Sequence, residues 1–319
     1  MIRGEAELKL SLVLCTYNPN LDVLRGVLDN LRAQSLDQRF WELLLVDNCS
    51  NPAVAVDLSG LPARLLKEAT PGLTSARRFG VRESRGSLIV FVDDDNFLSP
   101  TYLDEAIEIA TRLPKVGAFG GKVLPRWEDE SRVPDWIDAV WQNLALRDFG
   151  EIEIVEGRSP TYLYPKSSPV GAGMIIRRSA IEPWCHAVDG GRSVSDRCGA
   201  SLASAGDNDI VLFALTSGFD VGYFPHLRME HFIPIGRLDL AYHKRLAYSI
   251  MRSWVGVLAL HGAVPWKACH PWLGALRKFK IYLLNAPWNS PAAQLKYSMA
   301  RGLIDSRVDL YQAREQPFL

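Results

Sequence analysis

The chain has 319 residues, which is enough for one large α/β domain or for a domain with an appendage. Its 36 lysines and arginines balance its 36 aspartates and glutamates, so no overall charge draws it to nucleic acid. The five cysteines are odd in number and lack Cys-x-x-Cys spacing, which argues against a disulfide scaffold or a zinc site and is typical of a reducing compartment.

The two ends of the chain bear on its location. The first residues include Glu5 and Glu7 where a signal peptide needs an apolar core, so we expect no export. The longest apolar stretch near the other end, residues 246–260, is interrupted by Arg252 and is too short to span a bilayer. These features predict a cytoplasmic protein, either soluble or bound peripherally to the inner face of the membrane.

Apolar runs that suit buried strands alternate with helical patterns over the first hundred residues. We predict strands at 10–15, 43–46, 64–66 and 87–92. Helices are predicted at 21–31 and 74–83, and Ser99 with Pro100 marks the start of another. A repeated strand, helix, strand order indicates a parallel sheet with right-handed crossovers.

Polar residues follow three of these strands where each leaves the sheet. They are Thr16, Tyr17 and Asn18 after the first strand, Asp47 after the second, and Asp93, Asp94, Asp95 and Asn96 after the fourth. Because the carboxyl ends of parallel strands form one ligand-binding edge, we expect these residues to converge there. Three adjacent carboxylates repel unless a cation or a donor neutralises them, and a hard divalent ion that also binds phosphate is one solution. An acidic turn that caps the next helix is the alternative.

The second half has weaker patterns. We predict strands at 116–123, 170–176 and 221–224, a capping box at Ser179 with Glu182, and a helix over 210–215. From residue 235 onward, lysines and arginines are interleaved with aromatic residues, which indicates a helical appendage. The fold predicted is therefore α/β, a mostly parallel central sheet flanked by helices, with a C-terminal helical appendage.

Six short motifs, in this order, resemble those of the family 2 glycosyltransferases of the GT-A (Rossmann-like) fold. They are Thr16-Tyr17-Asn18, Asp47-Asn48, Gly72-Leu73-Thr74-Ser75-Ala76-Arg77, Asp93-Asp94-Asp95-Asn96, Gly171-Ala172-Gly173-Met174 and Asp207-Asn208-Asp209. The resemblance implies a GT-A domain at 8–234, with a nucleotide-sugar-binding half at 8–120 and an acceptor-binding half at 121–234. A helical extension would follow at 235–319.

The resemblance also implies roles for single residues. The donor-binding residues would be Thr16, Tyr17, Asn18, Asp47, Arg77, Asp93 and Asp94. Asp95 would hold a divalent metal, Mn²⁺ or Mg²⁺, through the family's Asp-x-Asp motif, and His231 lies where some members place a histidine near the metal. Asp207 would be the general base, and the sugar would be transferred with inversion at its anomeric carbon.

Two positions depart from the family pattern. Gly206 stands where a glutamate normally precedes the base, which leaves Asp209 open as the base and a helix N-cap open as the role of Asp207. Arg78 stands where an asparagine normally follows the arginine, and its charge could help to hold a diphosphate. For His231, a satisfied structural histidine is the alternative.

The function predicted is an inverting, metal-dependent glycosyltransferase. It would move a sugar from a nucleoside-diphosphate sugar, a UDP-sugar in the first place, to a glycan or lipid-linked acceptor in polysaccharide or glycoconjugate biosynthesis. A sugar-phosphate nucleotidyltransferase needs a glycine-rich phosphate loop after its first strand, and Thr16 to Pro19 stand there instead. A degenerate, non-catalytic partner subunit that binds a nucleotide or a glycan stays open because of Gly206.

The C-terminal extension has two interpretations. Its cations and aromatic residues could place it against an anionic membrane surface, where a lipid-linked acceptor would be found. Alternatively, its helices pack on the catalytic domain while the lysines extend their amino groups into water.

Overall fold

The computed structural model describes residues 8–159, 164–192, 194, 196–198 and 202–315. The chain divides into two compact units. The first comprises the described residues of Met1–Arg126, Ala145–Ser193 and Asp209–Ile233, and the second those of Trp127–Leu144, Val194–Asn208 and Pro234–Leu319. Each unit is therefore assembled from segments that are separate in the sequence.

The first unit contains a nine-stranded sheet in the order β3-β2-β1-β4-β8-β6-β9-β5, with β7 paired to β9. The strands are β1 (Leu10–Thr16), β2 (Trp41–Asp47), β3 (Ala63–Lys67), β4 (Leu88–Asp93), β5 (Asn96–Leu98), β6 (Val116–Trp127), β7 (Ile154–Glu156), β8 (Ile175–Arg177) and β9 (Asp220–Ile233). The four strands β1 to β4 are mutually parallel, and the pairings β4–β8, β6–β8, β5–β9 and β7–β9 are antiparallel.

The parallel half of the sheet confirms the α/β prediction. Every residue of β1 and β2 is buried, as the unbroken apolar runs indicated for strands covered on both faces. In the register of the sheet, Thr16 lies opposite Asp47, and Cys15 lies opposite Asp93. The polar residues that follow β1, β2 and β4 therefore stand at one level of the sheet edge.

Four helices lie wholly in the first unit and a fifth begins in the second. They are α1 (Leu21–Arg32), α2 (Leu73–Glu83), α3 (Tyr102–Arg112), α4 (Arg178–Asp189) and α5 (Gly206–Thr216). The buried leucines of α1 lie at the helical spacing seen in the sequence, and Asn20 caps the helix by accepting from the backbone N–H groups of Asp22 and Val23. The core lies between these helices and the sheet and includes Phe91 and Trp184.

Three local predictions were wrong. The helix expected from Ser99 begins only at Tyr102. The strand expected over 170–176 is reduced to β8, because Gly173 has a left-handed φ of 70° and turns the chain. The capping box at Ser179 does not form, because α4 begins directly after β8 and Ser179 already lies within its first turn.

The second unit confirms the helical appendage. Its long helices are α6 (Leu240–Leu260), α7 (Pro271–Asn285) and α8 (Pro291–Glu315). The backbone of α6 approaches α8 closely at Gly302, where a Cβ atom would lie 2.6 Å from the carbonyl oxygen of Tyr248. No helix among the described residues is both long and apolar enough to cross a membrane. In the part of the chain that the structure describes, no disulfide bond joins any of the five cysteines.

Candidate functional site

The loops that follow β1 and β2 are tied together. Asn18 adopts a left-handed φ of 47°, its backbone N–H donates to Ser50 Oγ at 2.9 Å, and its side-chain oxygen accepts from the N–H of Asn51 at 2.8 Å. Tyr17 is 54% exposed at the tip of the first loop. The two loops therefore form one surface that presents an aromatic ring to the solvent.

Asp47 holds the second of these loops in place. Its carboxylate is buried and accepts from the backbone N–H groups of Ser50 at 3.0 Å and Val54 at 2.9 Å. Burial alone raises the pKa of Asp47, but hydrogen bonds from Ser50 and Val54 and the charge of Lys67 outweigh it and lower the pKa. The carboxylate thus stays ionised and shapes the loop from within.

Arg77 is a buried cation at the same edge. It lies on α2, 3.7 Å from the carboxylate of Asp93, and its guanidinium lies over the ring of Phe91 at 5.1 Å. A Cβ atom on Gly171 would come within 2.6 Å of the Arg77 guanidinium, so the glycine makes room for the arginine. A desolvated guanidinium binds phosphate oxygens strongly, because it offers several charged N–H donors.

The guanidinium of the neighbouring Arg78 contacts a different part of the protein. Its guanidinium donates to Asp189 of α4 at 2.7 Å, and Arg82 pairs with the same carboxylate. In the structure the Arg78 side chain thus joins α2 to α4, and its charge is balanced by Asp189.

The first of the three consecutive aspartates, Asp93, ends β4, and Asp94 and Asp95 form the turn that leads to β5. Asn96 is fully buried beneath the turn, where it accepts from the N–H of Asp93 at 3.0 Å and donates to Asp95 Oδ1 at 3.0 Å.

Each of the three carboxylates faces a different side chain. Asp93 faces Arg77, Asp94 accepts from the hydroxyl of Thr16, and Asp95 faces His231. Their repulsion is thus relieved because each carboxylate has a different partner.

Asp95 and His231 are the pair expected to bind a metal. Nε2 of His231 lies 3.2 Å from Asp95 Oδ2, and the histidine is buried on β9 in register with Asn96 of β5. Among the described residues, no group of three or more histidine, cysteine or acidic side chains is arranged to hold a metal. Mg²⁺ commonly takes only one or two carboxylates from the protein and completes its shell with substrate phosphates and water, so a site for such an ion needs no group of three protein ligands.

The two candidate bases on α5 have different environments. Asp209 is fully buried and accepts from Trp184 Nε1 at 3.0 Å and from an Arg192 guanidinium nitrogen at 2.9 Å. Asp207 is half-buried in the first turn of α5, within the second unit, and accepts from the N–H of Asn208 at 2.9 Å. Because α5 already begins at Gly206, Asp207 is not the residue that caps the helix.

A carboxylate that the sequence did not reveal lies beside Gly206. Asp196 is buried, and its Oδ2 accepts from the N–H of Gly206 at 3.2 Å. A Cβ atom on residue 206 would overlap with that same oxygen. A carboxylate from ten positions upstream therefore occupies the space next to Asp207 that a longer side chain at position 206 would need. In the sequence, only the glycine at position 206 indicated that another group fills this space.

Comparisons with known proteins place the chain in a family. The family model described as glycosyl transferase family 2 matches residues 11–183, which is more than half of the chain. An uncharacterized glycosyltransferase of Haemophilus influenzae is 28% identical over 109 residues, 34% of this chain and 36% of that protein. The uncharacterized glycosyltransferase YwdF of Bacillus subtilis is 32% identical over 108 residues, 33% and 39% of the two chains. The match thus spans little more than a third of each relative.

Solved structures agree on the fold. The mannosyltransferase PcManGT of Pyrobaculum calidifontis, in complex with GDP-Man and Mn²⁺, aligns with a TM-score of 0.54 at 17% identity over 98% of this chain and 77% of that one. S. aureus TarS 1-349, in complex with UDP-GlcNAc, aligns with a TM-score of 0.50 at 14% identity over 96% and 92% of the two chains. The chain belongs to glycosyl transferase family 2 and has the GT-A fold.

Proposed function

We propose that the chain transfers a sugar from a nucleoside-diphosphate sugar, a UDP-sugar in the first place, to a glycan or lipid-linked acceptor in polysaccharide or glycoconjugate biosynthesis. This proposal rests on the register of the sheet, in which the carboxyl ends of β1, β2 and β4 lie side by side. A buried arginine and an acidic turn thereby lie at one edge of the sheet, within the residues that the family model matches. Open α/β sheets bind their ligands at such an edge.

The donor would bind along this edge. Tyr17 offers its exposed ring to the base, while Thr16, Asn18 and Asp47 hold the loops around the nucleoside. Arg77 would bind the diphosphate, which gives the buried guanidinium a second anion beside Asp93. Asp93 and Asp94 complete this surface toward the ribose.

Asp95 and His231 would hold a divalent ion, Mn²⁺ or Mg²⁺, together with the donor's phosphates. When bound, the ion would neutralise charge that develops on the leaving diphosphate. The structure of PcManGT was solved with Mn²⁺, which supports a metal of this kind.

Asp207 would act as the general base. As the acceptor oxygen bonds to the anomeric carbon, the bond from that carbon to the diphosphate oxygen breaks, the acceptor proton passes to the Asp207 carboxylate, and the nucleoside diphosphate leaves. Displacement in a single step inverts the anomeric centre. Asp209 is fully buried against Trp184 and Arg192, whereas Asp207 is half-buried and can be reached by an acceptor, which favours Asp207 of the two.

Donor hydrolysis tests this function without knowledge of the acceptor. The purified chain with Mn²⁺ and a panel of UDP-, GDP- and dTDP-sugars should slowly release nucleoside diphosphate from at least one of them. The Arg77→Ala variant should release it at least about tenfold more slowly, because a charge-assisted contact to phosphate is lost. Metal-dependent nucleotide binding with no release from any donor, with or without candidate acceptors, would instead favour a binding-only partner subunit.

A further inference from the structure

Helix α7 exposes a continuous apolar stripe. Trp272, Leu276, Phe279 and Leu283 are 58%, 58%, 63% and 54% exposed. Their spacing of four, three and four residues places them on one face of the helix. An amphipathic helix of a globular domain normally turns such a face to the core, and an exposed apolar patch marks an interaction site.

The opposite face of α7 is already occupied. Gly274 is buried, and a Cβ atom there would lie 2.6 Å from a methyl group of Val308 on α8. On the same side, Lys278 forms an ion pair with Asp305 of α8 at 2.9 Å. Because these contacts fix the rotation of the helix, the stripe cannot turn inward without breaking them. Two further apolar residues, Leu284 and Trp288, extend the exposed surface beyond the stripe.

The segment of the sequence that contains the stripe is basic. From residue 240 to residue 304 the chain has no aspartate or glutamate, although the whole chain carries 36 acidic and 36 basic residues. The same segment contains nine basic residues: Lys244, Arg245, Arg252, Lys267, Arg277, Lys278, Lys280, Lys296 and Arg301. Three of them pair with Asp305 or Asp309 of α8, and Lys267, Lys280 and Lys296 are exposed.

We infer that α7 docks in the plane of an anionic lipid bilayer, with the stripe inserted between the acyl chains and Lys267 and Lys280 against the headgroups. Aromatic and aliphatic residues on one face with lysines beside them suit this interface. The excess positive charge selects an anionic surface, and it disfavours a second copy of the chain, because two such faces repel. The inference rests on the proposed function, since it would bring the enzyme to a lipid-linked acceptor.

Vesicle co-sedimentation of the full chain tests this inference. Partitioning onto vesicles of phosphatidylcholine with phosphatidylglycerol should exceed partitioning onto phosphatidylcholine alone by about tenfold or more. The double variant Leu276→Ser with Phe279→Ser should bind the mixed vesicles about tenfold more weakly, because two inserted side chains are lost.

The double variant Lys267→Glu with Lys280→Glu tests the contribution of charge, and it should lose the preference for the anionic lipid. Both pairs lie outside the donor site, so donor hydrolysis in the absence of lipid should stay unchanged.

Ile152→Ser is the matched control, because Ile152 is 76% exposed and lies in the first unit, outside α7. It should bind vesicles as the unchanged protein does. Thermal unfolding of each variant verifies its fold. Unchanged vesicle binding by the stripe variant would overturn the inference, as would equal binding to neutral vesicles. The inference would also be overturned if the unchanged protein bound no vesicles but formed a concentration-dependent dimer that the stripe variant did not form. Any of these three results, with donor release intact, would leave the proposed function standing.

Discussion

The aspartates at the end of β4 show how a single asparagine organises a site. Asn96 is buried beneath the turn and bonds to both Asp93 and Asp95, so the three carboxylates are directed to separate partners. The sequence indicated the acidic cluster and its place after a strand. The family resemblance placed His231 near the metal that Asp95 would hold, but the residue pattern alone did not pair the two, because that contact joins residues 136 positions apart and depends on the pairing of β5 with β9.

Two substitutions on α5 separate catalysis from stability at this scale. Asp207→Asn should keep donor affinity but lower the transfer rate by roughly 10²–10⁴-fold, because the base that we propose is lost. Asp209→Asn should instead lower the free energy of unfolding by about 3 kcal/mol, because it removes the buried negative charge that faces Arg192. Transfer assays and urea unfolding measure the two effects. Full transfer activity in the Asp207 variant would move the base elsewhere.

The elements of the parallel half were predictable, because buried strands in such sheets are continuous apolar runs. Strand β9 was predicted over only four residues although it runs from Asp220 to Ile233. Its second half alternates strictly, with Leu227, Met229 and His231 buried and the residues between them exposed. This period of two is the signature of a strand with one face covered, and it could have extended the prediction to the histidine.

Gly171 offers a test of how the loop before β8 positions Arg77. Gly171→Ala should weaken UDP binding by about tenfold, because the added methyl group displaces the guanidinium from its place. The free energy of unfolding should change by less than about 1.5 kcal/mol, since the end of a long side chain can shift. Calorimetric titration with UDP and urea unfolding give the two quantities.

Gly256→Ala is the control for this substitution. Gly256 lies within α6, and a Cβ atom there would meet no other atom within 4 Å. The change should leave UDP affinity unaltered and stabilise the helix by up to about 1 kcal/mol. Equal UDP affinities for the two alanine variants would show that the position of Arg77 does not depend on Gly171.

At the scale of the whole molecule, the net charge is zero, but the charged residues are unevenly distributed along the sequence. The basic residues between 240 and 304 have no acidic counterparts in that stretch, so the rest of the chain carries the excess of acid. Composition could indicate a basic, aromatic appendage. It could not show that the second unit also recruits Trp127–Leu144 and Val194–Asn208, because such recruitment depends on contacts between segments that are distant in the sequence.

The central claim is that the edge formed by β1, β2 and β4 binds a nucleoside diphosphate through a metal held at Asp95. Calorimetric titration of UDP into the full chain, with Mn²⁺ and again with a chelator, tests it most directly. We predict at least about tenfold tighter binding with Mn²⁺, abolition of this difference by Asp95→Ala, and its retention in the exposed control Asp138→Ala. Equal UDP affinity with and without metal, or a metal effect that survives Asp95→Ala, would contradict the claim.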